Sequence, residues 1–208
     1  SLSYKVQESP DGIAQAFHIG EDFIEDDDVC LILGDNIFYG HRLPEILGEA
    51  KKKIDMGVGA VIFGYNVSNP NKYGVAELSN GKVINIAEKP EFRKSHWAVV
   101  GLYMYNNDVV KISKGIEPSE RGELEITTVN QVYISSNNLE MTTMGRGYTW
   151  FDTGNPEDLF SSASFVRMIE ERQGLKIACL EEIAYYMGYI TLKDLSARAI
   201  DLANTEYG

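Results

Sequence analysis

Two aspartates in this chain each end an apolar run within two residues of a glycine, in Leu33-Gly34-Asp35-Asn36 and in Trp150-Phe151-Asp152-Thr153-Gly154. Val29-Cys30-Leu31-Ile32-Leu33 reads as a short buried strand broken by Gly34. Asp35 then lies at the strand's carboxyl end, where ligands bind in open α/β sheets. Asp152 repeats the pattern. Two such carboxylates can converge on one divalent cation, and Mg²⁺ is commonly held by one or two carboxylates plus substrate phosphates. Each also has a plainer reading, Asp35 in an ordinary turn and Asp152 as the cap of a helix starting near Pro156.

Ala87-Glu88-Lys89-Pro90 sets an acid and a base side by side at a strand end. Successive strand residues face opposite sides, so Glu88 and Lys89 need separate partners. A sugar hydroxyl and a phosphate would suit them; solvent is the alternative. Asn71-Lys72-Tyr73-Gly74-Val75 offers an aromatic face and a glycine open to close backbone approach, or simply a bend at a strand start. The turn from Gln7 through Pro10 to Gly12 joins an amide able to read a base edge to the start of a helix. Glu123-Leu124-Glu125 opens another helix, where acids suit the dipole. His18, His41 and His96 form no ligand-spaced pair, and no serine elbow or Cys–His constellation is readable.

The elements that must position these groups follow from periodicity and turn chemistry. Tyr4-Lys5-Val6-Gln7 reads as the tail of a strand, residues 13–25 as a helix and 43–53 as a second. Residues 59–65 form the next buried strand. Asn80-Gly81 joins residues 73–78 and 83–86 in a hairpin. A strand over 97–105, helices near 108–114 and 123–135, and strands over 139–144 and 148–151 follow, and from Pro156 the pattern is helical apart from a break around 174–180. The expected fold class is α/β, a mixed sheet flanked by helices, with a domain over 1–155 and a helical C-terminal subdomain over 156–208.

At 208 residues the chain can bury a full core, and its formal charge of −12 argues against a nucleic-acid partner. The two cysteines, Cys30 and Cys179, lack metal-ligand spacing and are expected as buried thiols in a reducing compartment. No apolar run is long enough to span a membrane, and Ser1-Leu2-Ser3-Tyr4-Lys5 has no signal-peptide pattern, so a soluble cytoplasmic protein is expected.

Taken in order, the stretch from Gln7 to Phe17, Leu33-Gly34-Asp35-Asn36, Tyr73-Gly74-Val75, Glu88-Lys89-Pro90, Gly101-Leu102-Tyr103, the stretch from Gly122 to Thr127, and Trp150-Phe151-Asp152-Thr153-Gly154 closely resemble the glucose-1-phosphate thymidylyltransferases. The resemblance implies a mostly parallel, Rossmann-like sheet of the nucleotidyltransferase type with a β-hairpin insertion. It implies that the phosphate oxygen of glucose 1-phosphate attacks the α-phosphorus of dTTP, releasing pyrophosphate and dTDP-glucose. On that likeness Asp35 and Asp152 hold Mg²⁺, Glu88 binds glucose hydroxyls and Lys89 the sugar phosphate. Tyr73, Gly74, Gly101 and Glu123 complete the sugar side, Gln7, Pro10 and Gly12 read thymine, and Trp150 lies near the substrates. A regulatory nucleotide site serving dTDP-rhamnose feedback is implied at Tyr39, Gly40, Gly145, Arg146, Ala178, Glu182 and Ile183, in a homo-oligomer that is a tetramer in the family.

The family's glycine-rich G-G-x-G-T-R-L signature and the catalytic lysine after it have no counterpart in these residues, and the chain opens where the family's third strand is expected. Such a loop cradles the nucleotide phosphates with backbone N–H groups. The expectation is therefore a truncated, inactive chain with unpaired strand edges. Three accounts fit: a partial product of a dTDP-glucose-forming parent, a non-catalytic nucleotide-sugar-binding relative, or a subunit completed by a partner. Thr128 stands where the family has an acid, and the choice between dTTP and UTP is left open.

Overall fold

The computed structural model describes every residue except Ser1, Arg93, Glu206 and Gly208. It divides into two compact units, 1–152 and 153–208. The first carries, in chain order, α1 (Gln15–Ile19), α2 (Glu21–Ile24), β1 (Val29–Ile32), β2 (Asn36–Gly40), α3 (Leu43–Asp55), β3 (Ala60–Asn66), β4 (Gly74–Ser79), β5 (Lys82–Glu88), β6 (Trp97–Tyr105), α4 (Asp108–Lys114), α5 (Ile126–Ser135), β7 (Leu139–Met144) and β8 (Tyr148–Asp152). The second carries α6 (Pro156–Gln173), α7 (Leu180–Tyr186) and α8 (Leu192–Asp201).

The main sheet has the order β5-β4-β6-β3-β7, with β1 also on β6, and β2 pairs with β8 in a separate ribbon. The mixed α/β class and the hairpin are as expected, and Asn80 and Gly81 both take the positive φ of a tight hairpin turn, +50° and +78°. The pairing within the sheet departs from a parallel one. β1, β3, β4 and β7 point the same way, yet β3 with β7 is the one parallel ladder among the described strands. The physical reason is β6. The β1-α3-β3 crossover leaves a slot between two like-directed strands, and the long apolar β6 returns through it in the opposite sense.

Because both faces of the sheet are covered, alternate residues of one strand enter different cores. Ala60, Ile62, Tyr103 and Tyr105 pack with Phe17, Val109 and Val129. Val61, Phe63, Val100 and Leu102 pack with Ala50, Ile54 and Trp150. Tyr105 is fully buried and donates its hydroxyl to Asn130 Oδ1 at 2.7 Å, and its ring stacks between Tyr103 and Tyr133.

Four sequence expectations change. Residues 4–7 are exposed coil, because no described strand offers them a ladder. The helix expected over 13–25 is two short ones that meet at Gly20. β2 was not anticipated, since Asn36–Gly40 lacks alternation and is held by its pairing with β8. Cys179 is half-buried, and Cys30 is exposed because β1 turns Val29 and Leu31 partly into the core and Cys30 and Ile32 outward. Protein around Cys30 still raises its thiol pKa by desolvation. In the second unit Asn155, not Asp152, caps α6 by accepting the Asp158 N–H at 3.0 Å, and α8 begins with a Thr191–Asp194 capping box.

Tyr105→Phe removes a buried donor and leaves Asn130 without that partner. The expected loss is about 1–3 kcal/mol, read as a lower urea midpoint at unchanged slope; an unchanged midpoint would show that the bond contributes nothing net.

Candidate active site

One edge of β6 lies along β3, while its other edge is shared by two strands: β4 pairs with Trp97 and Ala98, and β1 with Leu102–Tyr105. Between them Val99, Val100 and Gly101 lack a ladder on that edge, and the β3–β6 register also shifts here, between Ile62 and Gly64. Splayed strands of this kind create a crevice at the strand ends, as at the switch points of open sheets. The carboxyl end of β1, the start of β4 and the end of β5 all face it. A cavity of about 220 Å³ occupies the crevice, lined among others by Asp35, Asn36, Tyr73, Gly74, Glu88, Lys89, Gly101, Tyr103, Thr127, Trp150 and Asp152.

Asn36 ties the walls together. Its Oδ1 accepts the Gly101 N–H at 3.0 Å and the Trp150 indole N–H at 2.7 Å, and its Nδ2 donates to Asp35 Oδ1 at 2.9 Å. Two donors on Oδ1 fix the amide's orientation. In the β2–β8 ribbon Asn36 also stands opposite Asp152. One amide therefore bonds to Asp35 and pairs across the ribbon with the strand position of Asp152. Trp150 packs edge-on against Tyr73, with ring centroids 4.8 Å apart.

On the far wall, Glu88 ends β5 opposite Gly74 and accepts the Thr127 hydroxyl at 2.6 Å on Oε2. Its other oxygen lies 3.8 Å from Arg121, which also contacts Glu123 at 2.8 Å and Glu125 at 3.5 Å. Lys89 has φ +40°, a left-handed conformation that costs free energy outside glycine, and its N–H is held by the Tyr73 carbonyl at 3.0 Å. Tyr103 is buried, and burial, then Glu88 and Asp152, push its phenol well above the usual range, so it remains a proton donor on the pocket wall.

Size alone does not pick this site. A larger cavity of about 330 Å³ between β1, β6 and α3 is mainly apolar and contains none of the residues selected from sequence. Among the described residues no three His, Cys, Asp or Glu side chains gather into a metal cage. A pair of carboxylates beside an open cavity is the donor set suited to a cation that shares its shell with substrate phosphates.

A family model for nucleotidyl transferases matches residues 1–168. The chain belongs to that family. It is 49% identical over its whole length to a glucose-1-phosphate thymidylyltransferase of Neisseria gonorrhoeae, covering 71% of that protein. A Mycobacterium tuberculosis (strain CDC 1551 / Oshkosh) enzyme of the same name is 46% identical, again with 71% covered. A Bacillus anthracis protein assigned as a glucose-1-phosphate thymidylyltransferase and solved with sucrose superimposes with a TM-score of 0.71 at 37% identity. That likeness covers 79% of this chain and 65% of the solved one. A UDP-glucose pyrophosphorylase with UDP-glucose, at 23% identity and a TM-score of 0.69, shares the fold.

Within this nucleotidyl transferase, Asp35, Tyr73, Gly74, Glu88, Lys89, Gly101, Trp150 and Asp152 come together in one cavity. Gln7, Pro10, Gly12 and Glu123 do not line it. Gln7 donates to the Gly12 carbonyl at 3.2 Å and to Gln15 at 2.7 Å. Gly12, at φ +107°, is clamped against Leu124, where an added Cβ would sit 2.4 Å from the carbonyl oxygen. Asp11 and Ala14 exchange backbone hydrogen bonds with Leu124, which fastens the Gln7–Gly12 turn beside Glu125 on the pocket wall. Asn36, Tyr103, Arg121 and Thr127 were missed. Three of them lie inside motifs already noted and Arg121 lies directly beside one, but the Arg121–Glu88, Thr127–Glu88 and Asn36–Trp150 contacts cross 33, 39 and 114 positions, which no local pattern signals.

At Gly101 a Cβ would lie 2.6 Å from Asn36 Oδ1 and 2.8 Å from Leu33 Cδ1. Gly101→Ala is expected to displace the Asn36 amide and deprive Trp150 of its acceptor, costing about 1–3 kcal/mol. A shift in tryptophan emission with a lower melting temperature is the readout; an unchanged spectrum would mean that the crevice yields without effect.

Proposed function

We propose that this crevice binds the sugar 1-phosphate and the metal-bridged α-phosphate in the synthesis of dTDP-glucose and pyrophosphate from dTTP and glucose 1-phosphate. The observation that carries the reading is that Asp35, Glu88, Lys89 and Asp152, far apart in the chain, line one cavity. In this reaction an oxygen of the sugar phosphate forms a bond to the α-phosphorus as the bond to pyrophosphate breaks. Catalysis of such a transfer is chiefly in-line positioning and charge neutralisation. Glu88 would accept glucose hydroxyls and Lys89 would face the sugar phosphate. Trp150 and Tyr73 would form an apolar wall, and the Gln7–Gly12 turn would present Gln7 to the thymine edge.

Asp35 and Asp152 would hold Mg²⁺, which when bound polarises the α-phosphate and screens repulsion between the two anionic substrates. The glycine-rich triphosphate loop has no counterpart in these 208 residues. The chain alone is therefore expected to bind sugar phosphate and dTDP-glucose while releasing pyrophosphate at background rates. No described helix is long and apolar enough to cross a membrane.

The same reading includes a feedback site for dTDP-rhamnose. In the first unit, Tyr39 and Gly40 pair with Thr149 and Tyr148, and Tyr148 bonds back to Gly145 beside Arg146, so these positions share one corner. Ala178, Glu182 and Ile183 belong to the second unit, where Leu180, Tyr186, Tyr189, Leu192 and Ile200 are exposed and no residue of α7 or α8 is buried. That apolar surface fits self-association into the family's tetramer.

Calorimetric titration of the chain with dTDP-glucose, in Mg²⁺ and in EDTA, tests the core reading. Binding should tighten with Mg²⁺, and Asp35→Asn or Asp152→Asn should remove most of that increment, by tenfold or more, about 1.4 kcal/mol. Metal-independent binding in all three proteins would exclude the two aspartates as ligands. Pyrophosphate release above background with dTTP, compared with UTP, would show that another group supplies the missing phosphate contacts and would report the base preference.

A further inference from the structure

We propose that Asn80 is a site of spontaneous covalent modification, deamidating through a succinimide formed with Gly81 while the chain is folded.

The reaction needs an amide carbon, Asn80 Cγ, and the backbone nitrogen of the next residue. Once solvent base takes the Gly81 N–H proton, that nitrogen bonds to Cγ, and the Cγ–Nδ2 bond breaks as Nδ2 gains a proton and leaves as ammonia. Water then adds to either carbonyl of the five-membered ring and breaks that carbon's bond to nitrogen, which yields aspartate or isoaspartate. Nothing is oxidised or reduced, and solvent supplies the water. Each product carries a negative charge where the amide had none, and isoaspartate lengthens the main chain by one methylene.

Three observations favour this position. A side chain on the following residue would hinder the attack; among the asparagines Asn80 alone precedes a glycine, and a Cβ built on Gly81 would meet no atom within 4 Å. Both residues are exposed at the tip of the β4–β5 hairpin, so base and water reach them. Among the described residues no hydrogen bond holds the Asn80 amide or the Gly81 N–H. Ser79 and Lys82 close the ladder, and in a two-residue turn with positive φ at both positions the central amide stays outside it. Loop tips of this kind open locally at little cost in free energy, which is the motion the attack requires.

The chain contains its own contrast. Asp11-Gly12 could close the same ring with loss of water. There Ser9 and Gln15 both donate to the Asp11 carboxylate, Gln15 at 3.0 Å, and the Leu124 N–H holds the Asp11 carbonyl at 2.7 Å. Gly12 is pressed against the Leu124 backbone, which opposes rotation of the peptide between them. The amides of Asn36, Asn107 and Asn138 are engaged by backbone groups of distant residues. Asn80 has none of these restraints, and the strands it joins end at Gly74 and Glu88 on the crevice wall.

The test is incubation of the folded chain at mildly alkaline pH, followed by tryptic mass mapping and labelling with an isoaspartate-specific carboxyl methyltransferase. A gain of about one mass unit should appear in the peptide from Tyr73 to Lys82, tenfold or more faster than in any other asparagine-containing peptide. The methyl label should fall in the same peptide, and the rate should climb with pH. Asn80→Gly, whose Gly-Gly turn tolerates the same backbone, should show neither signal. A sample kept in urea gives the reactivity of the unfolded chain. Conversion in urea alone would show that the turn protects Asn80 and would overturn the proposal. Conversion spread evenly over the asparagines, or isoaspartate at Asp11 in place of Asn80, would overturn it as well.

Discussion

Strand β6 has to satisfy two strands on a single edge, and most of what is distinctive in the first unit follows from the gap between them. β1 and β4 are separate segments that lie along that edge in the same direction, and they leave Val99 to Gly101 between their ends. Backbone N–H and C=O groups left there must find other partners. Leu33 N–H bonds to the Gly101 carbonyl, and Asn36 Oδ1 accepts the Gly101 N–H. The same amide then fixes Trp150 and bonds to Asp35. A backbone requirement of the sheet and the placement of a candidate metal carboxylate are thus met by one side chain, and the absence of a Cβ at Gly101 is what lets that side chain approach.

The two cores hold the crevice open by anchoring its walls separately. Tyr103 belongs to the core beneath α1, α4 and α5, whereas Trp150 belongs to the core beneath α3. Alternation along β6 sends neighbouring residues to opposite faces, so collapse of the gap would require both cores to repack at once. Strain concentrates at the rim, where Lys89 holds a left-handed backbone. That conformation persists because β5 ends at Glu88 and the Tyr73 carbonyl captures the next N–H.

Much of this was legible in the residues. Apolar runs located β3 and β6, Asn80-Gly81 fixed the hairpin of β4 and β5, and a glycine within two residues of each aspartate marked the strand ends. What stayed hidden depends on long-range contact. Asn36–Gly40 has no alternation and becomes a strand only because β8 arrives more than a hundred residues later. Residues 4–7 lie against no described strand, and Lys5 and Gln7 bond instead to Asp22, Gly12 and Gln15. The antiparallel pairing was invisible because each crossover predicts the direction of its own strands and says nothing of a later strand entering between them. Thr127 stood in a motif already noted, but its hydrogen-bond partner Glu88 lies 39 positions away.

The charge balance of the crevice bears on how so acidic a chain could accept two anionic substrates. Its lining contains four carboxylates, Asp35, Glu88, Glu125 and Asp152, against two ammonium groups, Lys72 and Lys89, a formal surplus of two negative charges. In a confined site of lowered dielectric such a surplus repels phosphate strongly. On the proposed reading one divalent cation would cancel the surplus, and substrate phosphates would supply the oxygen ligands that two aspartates alone leave missing. Arg121 cannot substitute for it, since three glutamates already surround its guanidinium. On the proposed reading the cation would enter with a phosphate-bearing substrate, a local remedy for the protein's net charge of −12.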